Sequence, residues 1–249
     1  HGDCMTVTGK TLAENLKGKR SSDLSVIASC KKPVRENAGF LVISGNLFDS
    51  ALMKTSVISA DFQKRFFSIP GKEGIFEAKA IVFEGPEDYH DRINNPELEI
   101  DDKSVLFIRG VGCVGYPGSA EVVNMLPPDK LVKEGINHLP TVGDGRQSGT
   151  SESPSILNAS PESVVGGGLA FLKTGDRVLL DLNKSEMNAL VPDEEWETRK
   201  KNWRAPEIIS HTPWEEIYRN HVGQLAEGGC LEMATKYQKV RETLSRDNH

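Results

Sequence analysis

The sequence predicts a β-rich α/β fold: a compact body over about residues 5–195, followed by a helical C-terminal arm. Three observations lead there. Short apolar or alternating runs bounded by turn residues recur along the first part of the chain. Glycine is abundant, 23 of 249 residues, beside a hydrophobic fraction of 37%, a balance that suits a loop-rich globular protein. Helical spacing of apolar residues is concentrated after residue 212.

Four strands are legible. Phe40-Leu41-Val42-Ile43, Ala78-Lys79-Ala80-Ile81-Val82-Phe83, Ser104-Val105-Leu106-Phe107-Ile108 and Arg177-Val178-Leu179-Leu180-Asp181-Leu182 are short and apolar or alternating. Gly175-Asp176 and Asn183-Lys184 punctuate the last of them. Thr11 to Leu16 reads as a short helix. Ser160-Pro161-Glu162 has the form of a helix start, with Ser as N-cap and Pro at the first helical position. Gly166-Gly167-Gly168 would stop that helix within two turns. In the tail, Thr212-Pro213-Trp214-Glu215 forms a capping box with Pro at N1. Trp214, Ile217, Tyr218, Val222 and Leu225 then share one helical face, and Met233, Tyr237, Val240 and Leu244 recur at helical spacing over Leu231 to Leu244. The charged stretch from Pro192 to Pro206 reads as an extended linker. An arm attached this way is expected to pack on a neighbouring domain or subunit, or else to close one end of the body.

Composition excludes several functions. Net charge is −6 and the pI is near 5.6, which argues against a nucleic-acid or acidic-membrane partner. No apolar run approaches the roughly 18 residues of a membrane span. The start, His1-Gly2-Asp3-Cys4, lacks the apolar core of a signal peptide and reads as the middle of a longer protein or a processed chain. Cys4, Cys30, Cys113 and Cys230 are widely spread without a C-x-x-C pair, so neither a zinc ribbon nor a local iron–sulfur ligand set is supported. Free thiols in a reducing compartment are expected. The six histidines are scattered, without H-E-x-x-H, and none is assigned to a metal.

Two Gly-rich loops carry the candidate chemistry. Gly112-Cys113-Val114-Gly115-Tyr116-Pro117-Gly118-Ser119-Ala120-Glu121 ends in a carboxylate, and Gly143-Asp144-Gly145-Arg146-Gln147-Ser148-Gly149-Thr150-Ser151 presents a serine beside a glycine. Glycines let backbone approach a ligand closely. A single carboxylate holds a hard cation poorly, so Glu121 as a ligand requires partners from elsewhere. Ser148 has no His or Cys partner at a recognisable spacing and no G-x-S-x-G elbow. As a base it needs a stronger activator than histidine, such as a nearby metal. On the residues alone both positions stay open between a functional role and a structural one, a solvated glutamate and a plain turn. Thr8-Gly9-Lys10-Thr11 is excluded as a phosphate-binding P-loop because Cys4 stands where the pattern needs glycine. Thr6 and Thr8 either line a polar pocket or form a solvated entry loop. Asn46 and Asp49 are placed to orient a polar ligand, but a plain strand-to-turn connection is the favoured reading.

These loops, in this order, resemble the C-terminal domain of the dihydroxy-acid and sugar-acid dehydratase family. The residues that carry the resemblance are Thr6-Val7-Thr8-Gly9-Lys10-Thr11-Leu12-Ala13-Glu14-Asn15, Gly45-Asn46-Leu47, Val82-Phe83-Glu84-Gly85-Pro86, Gly115-Tyr116-Pro117-Gly118-Ser119-Ala120-Glu121, Gly143-Asp144-Gly145-Arg146-Gln147-Ser148-Gly149, and Ala159-Ser160-Pro161-Glu162 with Gly166-Gly167-Gly168. They span about residues 5–205. The resemblance implies a β-barrel flanked by helices, of the swivelling β/β/α type, over residues 1–195, with linker and helical arm over residues 196–249. It implies a hydro-lyase that removes water from a 2,3-dihydroxy acid to give a 2-keto-3-deoxy acid. Ser148 then matches the base that takes the C2 proton, Thr150 a nearby hydroxyl of the sugar-acid branch, and Glu121 the one Mg²⁺ ligand contributed by this domain. An iron–sulfur cluster, of 2Fe-2S type, and the remaining Mg²⁺ ligands are implied in an N-terminal domain, and Cys113 is not a cluster ligand in the pattern.

Gln147 with Thr150-Ser151 resembles the pentonate and hexonate dehydratases more than the branched-chain enzymes, which tend to carry an aromatic residue and a glycine there. The implied partners are a small sugar acid, the N-terminal domain of the same enzyme and further copies in a homo-oligomer, with neither nucleic acid nor membrane. The implied location is cytoplasmic, with the mitochondrion as the alternative. The chain is expected to be inactive alone, with about 330 residues before His1, one or two domains' worth. The dihydroxy-acid or 6-phosphogluconate branch is an alternative, and a non-catalytic assembly or ligand-binding domain is another.

Overall fold

The computed structural model describes residues 1–34, 39–119, 121–122, 125–146 and 152–237. Two units are distinguished, His1–Ala38 and Gly39–His249.

The first unit contains α1 (Leu12–Leu16). Thr11 caps it: its hydroxyl accepts from Glu14 N at 3.2 Å, and the Glu14 carboxylate accepts from Thr11 N at 2.7 Å. This reciprocal pair satisfies two orphan N–H groups of the first turn. None of the described residues of this unit is buried. The Asn15 amide donates to the hydroxyls of Thr6 and Thr8 at 2.6 and 2.9 Å, so these threonines brace a solvated loop.

The second unit is a closed barrel of eight strands: β1 (Phe40–Gly45), β2 (Phe48–Lys54), β3 (Ile75–Phe83), β4 (Ser104–Ile108), β5 (Thr141–Gly143), β6 (Ser155–Ser160), β7 (Arg177–Asp181) and β8 (Glu186–Ala189). Their order around the barrel is β1-β2-β6-β5-β4-β3-β7-β8. β3, β4, β5 and β6 are successively parallel, whereas the β1–β2, β2–β6, β3–β7 and β7–β8 pairs are antiparallel. The ring closes where β1 meets β8 at Ser44 and Glu186. Gly45, at φ 155°, is required there, because a Cβ would lie 2.0 Å from the Met187 carbonyl oxygen. The Asn46 side chain completes the seam, accepting from Ala189 N at 2.7 Å and donating to Ala189 O at 2.9 Å. Asn46 is thus a closure residue, and Asp49 is exposed on β2.

β4 is buried along its whole length, which explains its unbroken apolar run after Ser104. On β4, Val105 and Phe107 join one core cluster, while Leu106 and Ile108 join another. The first cluster takes in Ile43, Met53, Phe76, Val142, Ile156 and Leu180. It is extended by α2 (Ala60–Phe62), which runs into a π-helical turn, Gln63–Phe67. Phe62, Phe66 and Phe67 surround Phe76 with ring centroids 5.6, 5.0 and 6.3 Å away. The second cluster lies beneath α3 (Pro86–Arg92) and α4 (Asp129–Lys133), which contribute Tyr89 and Leu131. Each fully buried Phe, Leu or Ile contributes roughly 1.5–3 kcal/mol.

Three local expectations are corrected. The stretch read as an extended linker holds α5 (Asp193–Asn202), which crosses position 195. Acidic residues fill its first turn and basic residues its last, complementing the helix dipole. It packs on the barrel unit through Trp196, edge-on to Phe171 at 5.7 Å, and through Arg199, whose guanidinium forks onto Asp176 at 2.6 and 2.9 Å. Ser160 does not cap a helix. It ends β6 before a cis peptide bond to Pro161, and its hydroxyl accepts from Ala226 N at 3.1 Å. A 3-10 turn, Ser163–Val165, follows instead and is stopped by left-handed Gly166, before a second 3-10 turn at Gly168–Phe171. In the tail, α6 (Pro213–His221) starts at Thr212, whose hydroxyl accepts from Glu215 N, but the Glu215 carboxylate accepts from His211 N rather than Thr212 N. Beyond it lie 3-10 turns at Leu225–Glu227 and Glu232–Tyr237.

Candidate functional site

Parallel strands place their carboxyl ends on one rim, where ligands of parallel sheets commonly bind. Here each of the four parallel strands is followed by an ionisable residue: Glu84 after β3, Arg109 after β4, Asp144 after β5 and Glu162 just after β6.

Asp144 is fully buried and joins three segments. One carboxylate oxygen accepts from Gly110 N at 3.1 Å, Ser163 N at 2.9 Å and the Ser163 hydroxyl at 2.7 Å; the other accepts from Val111 N at 3.0 Å. Glu162 is also buried. Its carboxylate accepts from Val114 N and Gly115 N, both at 2.9 Å, and from the Gln224 amide at 3.0 Å. Burial raises its pKa above the ordinary carboxylate value, the hydrogen bonds oppose this, and the charge of Asp144 adds to the rise. Gly112 cannot be larger, since a Cβ would meet Glu162 Oε2 at 2.5 Å. Cys113 is buried, and desolvation together with the charge of Glu162 raises its pKa, keeping it a thiol.

Arg109 is tied down rather than free. It donates to both Glu84 carboxylate oxygens and, through Nη1, to the carbonyls of Leu169 and Leu172 at 2.7 and 3.0 Å. Beside it, Glu84, Arg109, Gly110, Gly115, Ser163 and Trp203 help line a cleft of about 450 Å³.

The first Gly-rich loop runs from this anchored base to Glu121, which is exposed and forms an isolated parallel bridge with Arg146. Arg146 Nε donates to Ser119 O at 2.7 Å. The two Gly-rich loops are therefore brought together at Glu121 and Arg146. Ser148 and Thr150 lie outside the described residues, with Arg146 the last described residue before them. Ser119, at φ 58°, is buried, and its hydroxyl has no hydrogen-bond partner.

The donor chemistry suits one oxygen ligand for a hard cation, since Glu121 offers an exposed carboxylate. Among the described residues no three His, Cys, Asp or Glu gather as a metal site. Cys4, Cys30 and Cys230 are exposed and unpaired, and the described residues hold no set that fits a cluster. No described helix is long and apolar enough to cross a membrane.

Sequence reasoning missed the anchoring roles of Asp144, Glu162 and Arg109. The signal was present for Arg109, an ionisable residue directly after an apolar strand. Asp144 and Glu162 stood inside motifs already noted, but their burial depends on loops distant in sequence.

Comparison with known proteins supplies the lineage. The sequence model described as dihydroxy-acid/6-phosphogluconate dehydratase C-terminal matches residues 25–230. The chain is 58% identical to the D-xylonate dehydratase of Caulobacter vibrioides over all 249 residues, covering 42% of that protein. It is 31% identical over 233 residues to the L-arabinonate dehydratase of Rhizobium leguminosarum bv. trifolii, with 93% of the chain and 38% of the relative covered. With the dihydroxy-acid dehydratase of Clostridium beijerinckii it shares 36% identity over 210 residues, 83% of the chain and 35% of the relative. The chain thus spans well under half the length of these relatives. With residues 25–230 matched by that model, the chain belongs to the dihydroxy-acid/6-phosphogluconate dehydratase family, in the region of its C-terminal domain.

Proposed function

We propose that this domain forms one wall of the active site of a sugar-acid dehydratase acting on a pentonate. The enzyme removes the C2 proton and the 3-hydroxyl to give an enol that tautomerises to a 2-keto-3-deoxy acid. The observation that carries this reading is the 58% identity to a D-xylonate dehydratase along the whole chain. The polar Gln147 and Thr150 suit a polyol tail better than an alkyl one.

Ser148 is the base that takes the C2 proton, and Thr150 lies beside it as a hydroxyl toward the substrate. Glu121 offers its carboxylate to a Mg²⁺ ion shared with a preceding domain. When bound, that ion and a 2Fe-2S cluster held by the preceding domain would supply the Lewis acidity that acidifies C2–H and weakens the bond to the departing hydroxyl. Asp144 and Glu162 fix the two loops, so that little reorganisation remains once substrate arrives. The boundary between residues 1–195 and the arm, assembly into a homo-oligomer and a cytoplasmic location belong to the same reading.

The test is a substrate panel on the full-length enzyme, with 2-keto acid formation followed for D-xylonate, L-arabinonate, 6-phosphogluconate and a branched-chain 2,3-dihydroxy acid. The reading expects turnover of a pentonate ahead of the others. Preference for the branched-chain acid or the phosphorylated sugar would move the protein to another branch, and no turnover of any would leave an assembly domain.

A further inference from the structure

The helical arm grips the base of the loop that leads to Glu121. Gln224 holds Glu162 from two sides, accepting from its backbone N–H at 2.8 Å and donating to its carboxylate at 3.0 Å. Arg219 Nε donates to Val114 O at 3.0 Å, while Arg219 Nη1 is itself held by Ile209 O at 2.9 Å and the Ser210 hydroxyl at 2.7 Å. Val114 is therefore held at its N–H by Glu162 and at its carbonyl by Arg219.

From there the constraint runs forward through backbone. Tyr116 N donates to Gly112 O at 2.9 Å and Ser119 N donates to Tyr116 O at 2.7 Å. Ser119 O then receives Arg146 Nε at 2.7 Å. Hydrogen bonds and the covalent backbone between them thus connect the arm to both Gly-rich loops, reaching Ser119, two residues before Glu121, on one and Arg146, two residues before Ser148, on the other.

We propose that Gln224 and Arg219 are positioning residues for the site: the arm fixes residues 112–119 and thereby holds Glu121 where a divalent cation can use its carboxylate. The inference rests on the reading of Glu121 as a cation ligand. Neither side chain needs to touch substrate or metal. Outer residues that orient a ligand typically change metal affinity by about 10–100-fold when removed, and the arm acts at that distance through backbone.

The experiment uses full-length enzyme stripped of divalent cation and titrated with Mn²⁺ by electron paramagnetic resonance, alongside hydrogen exchange of the peptide spanning residues 112–119. Gln224→Met keeps the side-chain volume and removes both bonds to Glu162. It is expected to weaken Mn²⁺ binding about tenfold, to speed exchange in residues 112–119, and to leave exchange in β3 and β4 unchanged. Turnover should show a raised Mg²⁺ half-saturation with kcat recovered at saturating Mg²⁺. Arg219→Met should act in the same direction, and it decides the matter if Gln224→Met fails to fold. Wild-type Mn²⁺ affinity in the folded variants would overturn the proposal. Glu121→Gln separates the two readings: if it leaves Mn²⁺ binding unchanged, the assignment of Glu121 falls and takes the proposal with it.

Discussion

The carboxylate of Asp144 receives both the backbone N–H and the hydroxyl of Ser163, at 2.9 and 2.7 Å, in a fully buried setting. The same carboxylate receives Gly110 N and Val111 N. One side chain after β5 therefore joins the loop after β4 to the turn after β6. Asp144→Ala would strand these donors. With about 1–3 kcal/mol for each orphaned buried donor and partial rescue by water, the loss should be on the order of 3–5 kcal/mol in urea unfolding of the full-length enzyme. A loss under about 1 kcal/mol would show that the joint is not structural.

A second prediction concerns α5. The Arg199–Asp176 pair is largely buried, with side-chain exposures of 10% and 12%, and Arg199 also reaches Phe171 O and Glu195. Asp176 stabilises the guanidinium charge most, and Glu195 assists. Removing one partner of such a pair leaves the other charge without its counter-ion. Asp176→Ala should cost about 3 kcal/mol, whereas Glu197→Ala, at an exposed pair with Lys200, should cost under about 1 kcal/mol. Thermal melts of the two variants check the contrast, and equal small shifts would mean that α5 is not held to the barrel through this pair.

The pH dependence of Glu162 has a definite sign. Burial raises its folded pKa above 4.5. The folded state therefore binds its proton more tightly than the unfolded chain does. The corresponding stability is fully present below the unfolded pKa and is lost as pH rises through the folded one. Wild type minus Glu162→Gln, measured as unfolding free energy at each pH, should fall as pH rises from about 4.5 and then level off. A difference that grows with pH would reverse the assignment and mean that the backbone N–H groups outweigh burial.

Much of the barrel was legible in sequence, and the failures are instructive. β3, β4 and β7 announced themselves because they carry apolar runs or alternate cleanly. β2, with Asp49, Ser50 and Lys54, looked like a connection, and its strand character comes from pairing with β1 and β6. β5 is three residues long, β6 contains Asn158 at φ 57°, and β8 is Glu-Met-Asn-Ala. Their strand state is imposed by neighbours rather than by intrinsic preference. The tail at residues 192–206 misled because its helix is stabilised by end charges and by Arg199 and Trp196 on the barrel unit, with no apolar stripe to betray it. For the site, the motifs located the loops, but the residues that hold them, Asp144, Glu162 and Gln224, act across separations that periodicity does not register.

The central claim is that Ser148 is the base of a sugar-acid dehydratase to which this domain contributes. The measurement that tests it most directly is C2 proton exchange and keto-acid formation in D₂O with full-length Ser148→Ala enzyme and a pentonate substrate. The account predicts that both fall together, by about 10²–10⁴-fold, the range for a positioned general base, with the melting temperature and the cluster absorption unchanged. Retained exchange and turnover in the folded, cluster-loaded variant would contradict it.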